Sequence, residues 1–197
     1  MYIPQRQLVN LREAVRPGRV VVVYGARRVG KTTLLNHFVT STEEEVLFVN
    51  GDDIVVREYL ESQSIEKLKD FIGHHTMLLV DEAQYVPQVG LNLKLIVDHL
   101  PGVKVIATGS SSFDLAQDVG EPLTGRKRVL KLLPLAQMEL AEIEKPHETK
   151  AHLESRLLYG SYPEVVLLRS NTEREEYLRE ILSSYLFKDI LQLEGIR

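Results

Sequence analysis

The chain has 197 residues, with 24 Lys and Arg against 28 Asp and Glu, a formal charge of −4 and 44% apolar residues. A chain of this length buries roughly 70% of its unfolded surface and needs no metal or disulfide staple. It contains no cysteine, which excludes disulfide frameworks, thiolate metal sites and cysteine nucleophiles together.

The longest unbroken apolar run, Val20–Tyr24, falls far short of the ~20 residues of a membrane-spanning helix. Arg6 and Arg12 interrupt the N-terminal segment, so no signal-peptide core is present there. The expectation is a cytoplasmic protein with no membrane partner, and the acidic balance disfavours wholesale nucleic-acid binding.

In chain order, Val20–Tyr24 is a β-branched run ending at Gly25, the pattern of a strand buried on both faces. Lys31–Thr40 follows, with Leu34, Leu35, Phe38 and Val39 on one helical stripe. Val46–Asn50 reads as a second strand closed by Gly51, Asp52 and Asp53. Ser64 caps a helix whose apolar positions are Ile65, Leu68, Phe71 and Ile72. Residues 77–80 form a third buried strand, stopped by Asp81 and Glu82. Leu93, Ile96, Val97 and Leu100 mark a helix closed by Pro101 and Gly102. Residues 103–108 and 128–133 are the fourth and fifth strands.

Strands spaced by helices imply βαβ units and a mainly parallel sheet. Beyond about Leu135 only helical patterns remain, at residues 135–143, Leu153–Tyr159 and 172–193. The last opens on a capping box, Thr172 with Glu175, and carries Tyr177, Leu178, Ile181, Leu182, Tyr185, Leu186 and Ile190 on one stripe. The fold class is therefore α/β, with a core over residues 1–134 and a helical appendage over 135–197. The final helix meets no stop signal before Gly195, so the chain is expected to be the front part of a longer protein.

The chemistry concentrates in three places. Gly25-Ala26-Arg27-Arg28-Val29-Gly30-Lys31-Thr32, continued by Thr33, fits G-x-x-x-x-G-K-[ST] between a buried strand and a helix. Glycines let successive N–H groups face phosphates, and the helix N-terminus adds its positive dipole end. Lys31 then reaches the β- and γ-phosphates, and the Thr32 hydroxyl is placed on Mg²⁺. Arg27 and Arg28 have two readings: contacts to phosphates or to acids of a neighbouring subunit, and solvent or a local ion pair.

Asp81 and Glu82 end a buried strand, where ligands sit in open α/β sheets. Asp81 suits Mg²⁺, and Glu82 suits the orientation or deprotonation of an attacking water. Gln84 is either a partner of that water or a surface glutamine. Thr108 and Ser110, at the end of the fourth strand with Ser111 and Ser112, are either phosphate sensors or a turn that caps the next helix. A glutamate directly after the strand aspartate favours an NTPase that carries its own base, and no [NT]-K-x-D guanine-reading tetrapeptide occurs. ATP or ADP with Mg²⁺ is the expected ligand.

The ordered set Gly-Ala-Arg-Arg-Val-Gly-Lys-Thr-Thr-Leu, Asp-Glu-Ala-Gln, Ala-Thr-Gly-Ser-Ser, and Leu-Thr-Gly-Arg with Leu-Leu-Pro-Leu resembles the bacterial and archaeal AAA+ ATPases. In the poorly characterised group it is most similar to, an N-terminal ATPase domain precedes a C-terminal domain of unassigned function. The resemblance implies a P-loop NTPase sheet of five strands in the order 5-1-4-3-2 and a C-terminal helical lid. It also implies that Arg126 is an arginine finger or sensor, acting either in cis or, within a homo-oligomer, in trans. Gly160-Ser161-Tyr162-Pro163 resembles a Gly-x-x-Pro lid motif that packs near nucleotide, which assigns Pro163 to the site. Tyr2 and Arg6, just ahead of the core, are placed to wrap the adenine. Arg126, Lys127, Arg128 and Lys131 cluster around the fifth strand, where a charged strand edge is favoured over a nucleic-acid contact.

Two functions follow. One is an ATP-hydrolysing switch or motor. The other is a nucleotide-bound scaffold that recruits a protein partner, which neither residues nor resemblance identify.

Overall fold

A computed structural model describes residues 2–110 and 123–186, the side chains of 185 and 186 excepted. Five strands run in the order β2-β3-β4-β1-β5, all pairs parallel. They are β1 (Val20–Tyr24), β2 (Val46–Asn50), β3 (Met77–Asp81), β4 (Lys104–Gly109) and β5 (Lys127–Lys131). This is the order that the sequence resemblance implies.

Burial tracks composition. Every residue of β3 is buried and β1 is buried up to Val23, whereas β5 at one edge buries only Leu130. Runs of Val and Leu make central parallel strands because both faces are covered there. The other edge, β2, is half-buried along Val46–Val49.

Among the described residues, five helices flank the sheet: α1 (Gln7–Ala14), α2 (Lys31–Thr40), α3 (Ile54–Leu60), α4 (Ile65–Ile72) and α5 (Val89–His99). Leu60, Leu68, Ile72, Leu93 and Ile96 meet Leu78 and Val80 of β3 in one apolar cluster. Ser64 caps α4 by accepting from the Lys67 N–H. The sequence patterns leave α1 and α3 unannounced. Asp53, read as part of a turn, is the N-cap of α3 and accepts from the Val55 N–H at 2.8 Å, because Asp serves caps and turns alike. In α1, Gln7 donates to the Lys131 carbonyl at 2.9 Å and so occupies an acceptor at the β5 edge.

The chain divides into two compact units. One comprises Gln7–Gly25 and Lys31–Leu132 and holds the sheet with α1–α5. The other comprises Met1–Arg6, Ala26–Gly30 and the residues from Leu133 onward. Its helices are α6 (Gln137–Leu140), α7 (Pro146–Ala151), α8 (Leu153–Tyr159), α9 (Pro163–Leu167) and α10 (Asn171–Ile181), followed by a π turn at Leu182–Leu186. Ile3, Leu135 and Leu140 form a small core with Ile143 and Val166.

Two helix readings are corrected here. The helix expected over 135–143 is confined to Gln137–Leu140, where the Glu139 carboxylate accepts from the Ala136 N–H at 2.7 Å and the Arg6 N–H at 2.6 Å. The last helix starts at Asn171, not Thr172, because Ser170 and Glu173 form the capping box instead of Thr172 and Glu175. The Ser170 hydroxyl accepts from the Glu173 N–H at 3.2 Å, and the Glu173 carboxylate accepts from the Ser170 N–H at 2.9 Å. Ile190, the rest of that stripe and Ser111 and Ser112 lie outside the described residues. Among the described residues no helix is long and apolar enough to cross a membrane.

One glycine is fixed by packing. The Gly51 N–H donates to the Asp81 carbonyl at 2.7 Å, and a Cβ on Gly51 would stand 2.5 Å from the Glu82 carbonyl oxygen. Gly51→Ala is therefore expected to cost about 1–3 kcal/mol, the range for overpacking a rigid site. Urea denaturation checks this, and an unchanged midpoint would contradict the close approach.

Candidate active site

The site is built where β1, β3 and β4 end and α2 begins. Gly25 closes β1, and Lys31 opens α2 with its side chain only 5% exposed. A buried ammonium needs acceptors. Lys31 donates to the Gly25 carbonyl at 2.9 Å, which ties the two ends of the phosphate loop together. Of the two signature glycines only Gly30 has a left-handed backbone, with φ 100°, and the other left-handed position in the loop is Arg28 at φ 60°. Ala26 and Arg28 are exposed, whereas Val29 is fully buried.

Asp81 is the hub. It is 4% exposed at the end of β3, and two hydroxyls reach it. Thr32 Oγ1 donates to Oδ2 at 2.7 Å, and Thr108 Oγ1 of β4 makes a short hydrogen bond to Oδ1. Thr108, itself fully buried, also accepts from the Glu82 N–H at 3.1 Å. Parallel pairing of Val80 with Ala107 sets this up, because it brings the next residues on both strands side by side. Thr33 lies exposed in the first turn of α2, and Ser110 is buried just past β4.

Glu82 has a left-handed backbone, φ 51° and ψ 41°, at the start of the short 3₁₀ turn Ala83–Tyr85. Non-glycine residues hold this conformation where surrounding contacts over-determine it, and here the Thr108 hydroxyl and the close Gly51 backbone supply them. Gln84 donates its amide to the Glu82 carboxylate in a short hydrogen bond. The Gln84 Oε1 is buried and has no hydrogen-bond partner. The structure thus pairs Gln84 with the glutamate, where the sequence left its partner open.

The other sequence-derived candidates fall elsewhere. Arg126 immediately precedes β5, and its carbonyl accepts from the N–H of Val20, the first residue of β1. Strand geometry puts on the order of 13 Å between that end of β1 and the loop that leaves its other end. The Arg126 guanidinium donates to Asp98 of α5 at 2.5 Å. Tyr2 is half-buried in the second unit. Pro163 is the first residue of α9, and Ser161 before it bonds Leu135 twice, Oγ to carbonyl at 2.6 Å and carbonyl to N–H at 2.9 Å.

Sequence reasoning missed three supporting residues. Gly51 carries only a generic turn signal. Arg57 of α3 donates to the Gly51 and Asp52 carbonyls at 2.7 and 2.8 Å. Gln5, 5% exposed, donates to the Val29 carbonyl at 3.2 Å. No local pattern announces these contacts, since Gln5 and Val29 lie 24 residues apart.

A family model described as an AAA domain matches residues 17–141, which is more than half of the chain. The chain belongs to the AAA domain family. That makes it a domain of the nucleotide-binding ATPase type. Over a 200-residue alignment it is 26% identical to an uncharacterised protein of Methanocaldococcus jannaschii, covering 92% of this chain and 44% of that protein. The chain therefore spans less than half the length of this curated relative. A Walker-type ATPase of Pyrococcus abyssi superposes with a TM-score of 0.59 at 17% identity, covering 98% of this chain and 75% of its own. A signal-transduction ATPase with a tetratricopeptide-repeat sensor from Pyrococcus horikoshii gives a TM-score of 0.51 at 16% identity, covering 93% of this chain and 32% of that one. Both likenesses concern the P-loop NTPase fold.

Removing the Thr108 hydroxyl takes its hydrogen bond from Asp81 Oδ1 and from the Glu82 N–H, which are then left with each other at 3.2 Å. Thr108→Val is expected to cost about 1.5–3 kcal/mol, the range for a lost hydrogen bond to a charged group. Thermal denaturation checks this, and a stability equal to wild type would remove Thr108 from its bridging role.

Proposed function

We propose that this domain binds Mg·ATP at the loop Gly25–Thr33 and hydrolyses it, working as a nucleotide-driven switch in the cytoplasm. The observation that carries the reading is the contact between the Thr32 hydroxyl and the Asp81 carboxylate, 2.7 Å apart, beside the buried Lys31. Hard oxygen donors of this kind suit Mg²⁺, which takes one or two protein oxygens and fills its octahedron with water and phosphate. Thr32 and Asp81 would hold that ion, and its chemistry there is to neutralise charge on the phosphate oxygens.

The chain's own residues do the rest. N–H groups of Ala26 to Thr33 cradle the phosphates, and the Lys31 ammonium exchanges the Gly25 carbonyl for their oxygens. Glu82 takes a proton from the attacking water, and its left-handed backbone together with the Thr108 contact fixes where the carboxylate starts. The orphaned Gln84 oxygen is a ready acceptor for that water. Thr108 holds Asp81 and Glu82 in one register, and Ser110 stands one residue past the strand as a phosphate sensor. Tyr2 and Pro163 are assigned to the adenine side. Arg126, at the far end of β1 from the loop, suits a finger offered to a neighbouring copy better than one for its own phosphates. The sensor-bearing signal-transduction ATPase among the structural neighbours supports the switch reading.

Lys31→Ala is expected to lose most ATP affinity, since a charge-assisted contact is lost, whereas Glu82→Gln should keep Mg·ATP bound and slow turnover by about 10² or more. Calorimetry and phosphate release separate the two effects. Equal loss of affinity in both variants would make Glu82 a structural group.

Arg126→Ala should bind ATP normally and hydrolyse it about 10³-fold more slowly, as for a lost arginine finger. Mixing it with Glu82→Gln should restore part of the activity, because one copy then offers Arg126 to the intact Glu82 of another. Full activity of Arg126→Ala alone would leave it a surface partner of Asp98.

A further inference from the structure

Arg28 sits mid-loop at φ 60°, a backbone that glycine adopts freely and arginine keeps only when its surroundings hold it. Those surroundings are specific. Gln5 donates to the carbonyl of Val29, the next residue, at 3.2 Å. Gln5 also lies against Gly30, where an added Cβ would meet its Oε1 at 3.3 Å. On the other side, the Arg28 guanidinium makes an ion pair with Glu180 of α10 at 2.6 Å and lies over the Tyr177 ring, 5.4 Å from its centroid.

Tyr177 registers the same contact. Burial pushes its phenol up from the ordinary tyrosine range, the hydrogen bond and charge of Arg28 pull it down, and Glu164 and Glu180 push it up. Glu180 and Tyr177 are three residues apart, so they present one carboxylate and one ring on a single helical face. A planar guanidinium is the side chain that satisfies both at once, by a charged hydrogen bond and by stacking.

An ion pair this exposed, at 38% and 53% for the two side chains, does little for stability. Its consequence is linkage. The non-glycine residue of the loop that holds a left-handed backbone is the one that pairs with the last described α-helix.

We infer that Arg28 is a positioning residue that couples nucleotide in the phosphate loop to the order of α10, through Glu180 and Tyr177. This rests on the nucleotide-binding reading above and adds its regulation. Phosphates held by the loop N–H groups fix the backbone at Arg28. The guanidinium is then presented to Glu180 and Tyr177 in one place, and α10 opens less often. Coupling of this kind is reciprocal, so the α10 contact must tighten nucleotide by the same factor by which nucleotide steadies α10.

The test is hydrogen exchange on the full chain with Mg²⁺ and a non-hydrolysable ATP analogue, read at the loop and at residues 171–181, with affinity from calorimetry. In wild type the analogue should slow exchange at the loop and slow it about fivefold or more across α10, the lower end of allosteric coupling. Glu180→Lys, an exposed change outside the loop, should retain loop protection, lose the slowing in α10 and weaken the analogue by a similar factor. Arg28→Gly, which accepts φ 60° without strain, should lose the slowing in α10 as well. Loop protection in wild type with no change in α10 overturns the coupling and leaves nucleotide binding standing, as does full slowing of α10 in Glu180→Lys. No protection at either place overturns the nucleotide reading, and the coupling with it.

Discussion

Everything at the candidate site depends on one buried carboxylate. Asp81 is almost fully enclosed, and a buried charge persists only where donors replace its water. Thr108 and Thr32 do this from two different elements, β4 and α2. The strand order is what makes it achievable: β4 lies between β3 and β1, so a hydroxyl on β4 reaches the acid that ends β3. Because α2 follows β1 directly through the loop, the second hydroxyl arrives from the helix that the phosphates would face. One charge therefore sets the mutual position of the acid pair and the start of α2.

The surrounding backbone serves the same constraint. Gly51 comes so near the Glu82 carbonyl that no side chain fits, and Arg57 pins the Gly51 and Asp52 carbonyls from α3. Glu82 is thereby held left-handed with its carboxylate on Gln84. The 3₁₀ turn after β3 leaves polar groups at its start to side chains: Thr108 accepts from the Glu82 N–H, and Gln84 donates to the Glu82 carboxylate. The loop is braced separately, by Lys31 on Gly25 at its ends and by Gln5 and Glu180 at its middle.

The strands, their parallel order and the residues gathered around Asp81 were legible because each rests on a signal that is local in sequence. An all-apolar run names a buried strand, and the spacing of Gly25, Gly30, Lys31 and Thr32 names the loop. The rest depends on contacts distant in sequence or on signals with two equal readings. Asp53 caps α3 with the same chemistry that marks a turn. Ser170 with Glu173 and Thr172 with Glu175 are both capping boxes, and only the first is used. Gln5 and Gly51 carry no pattern of their own, since their roles come from Val29 and Glu82. An arginine in a phosphate loop reads equally as a phosphate contact or an ion pair, and the structure gives Arg28 the ion pair with Glu180.

The most direct test of this account is the Mg²⁺ dependence of ATP binding by the wild-type chain, measured by titration calorimetry with Mg²⁺ and again with excess EDTA. If Thr32 and Asp81 share an ion with the nucleotide, removing Mg²⁺ leaves the Asp81 carboxylate facing phosphate uncompensated, and affinity falls by about tenfold or more. Equal affinity in the two titrations, or no heat of binding in either, would contradict it.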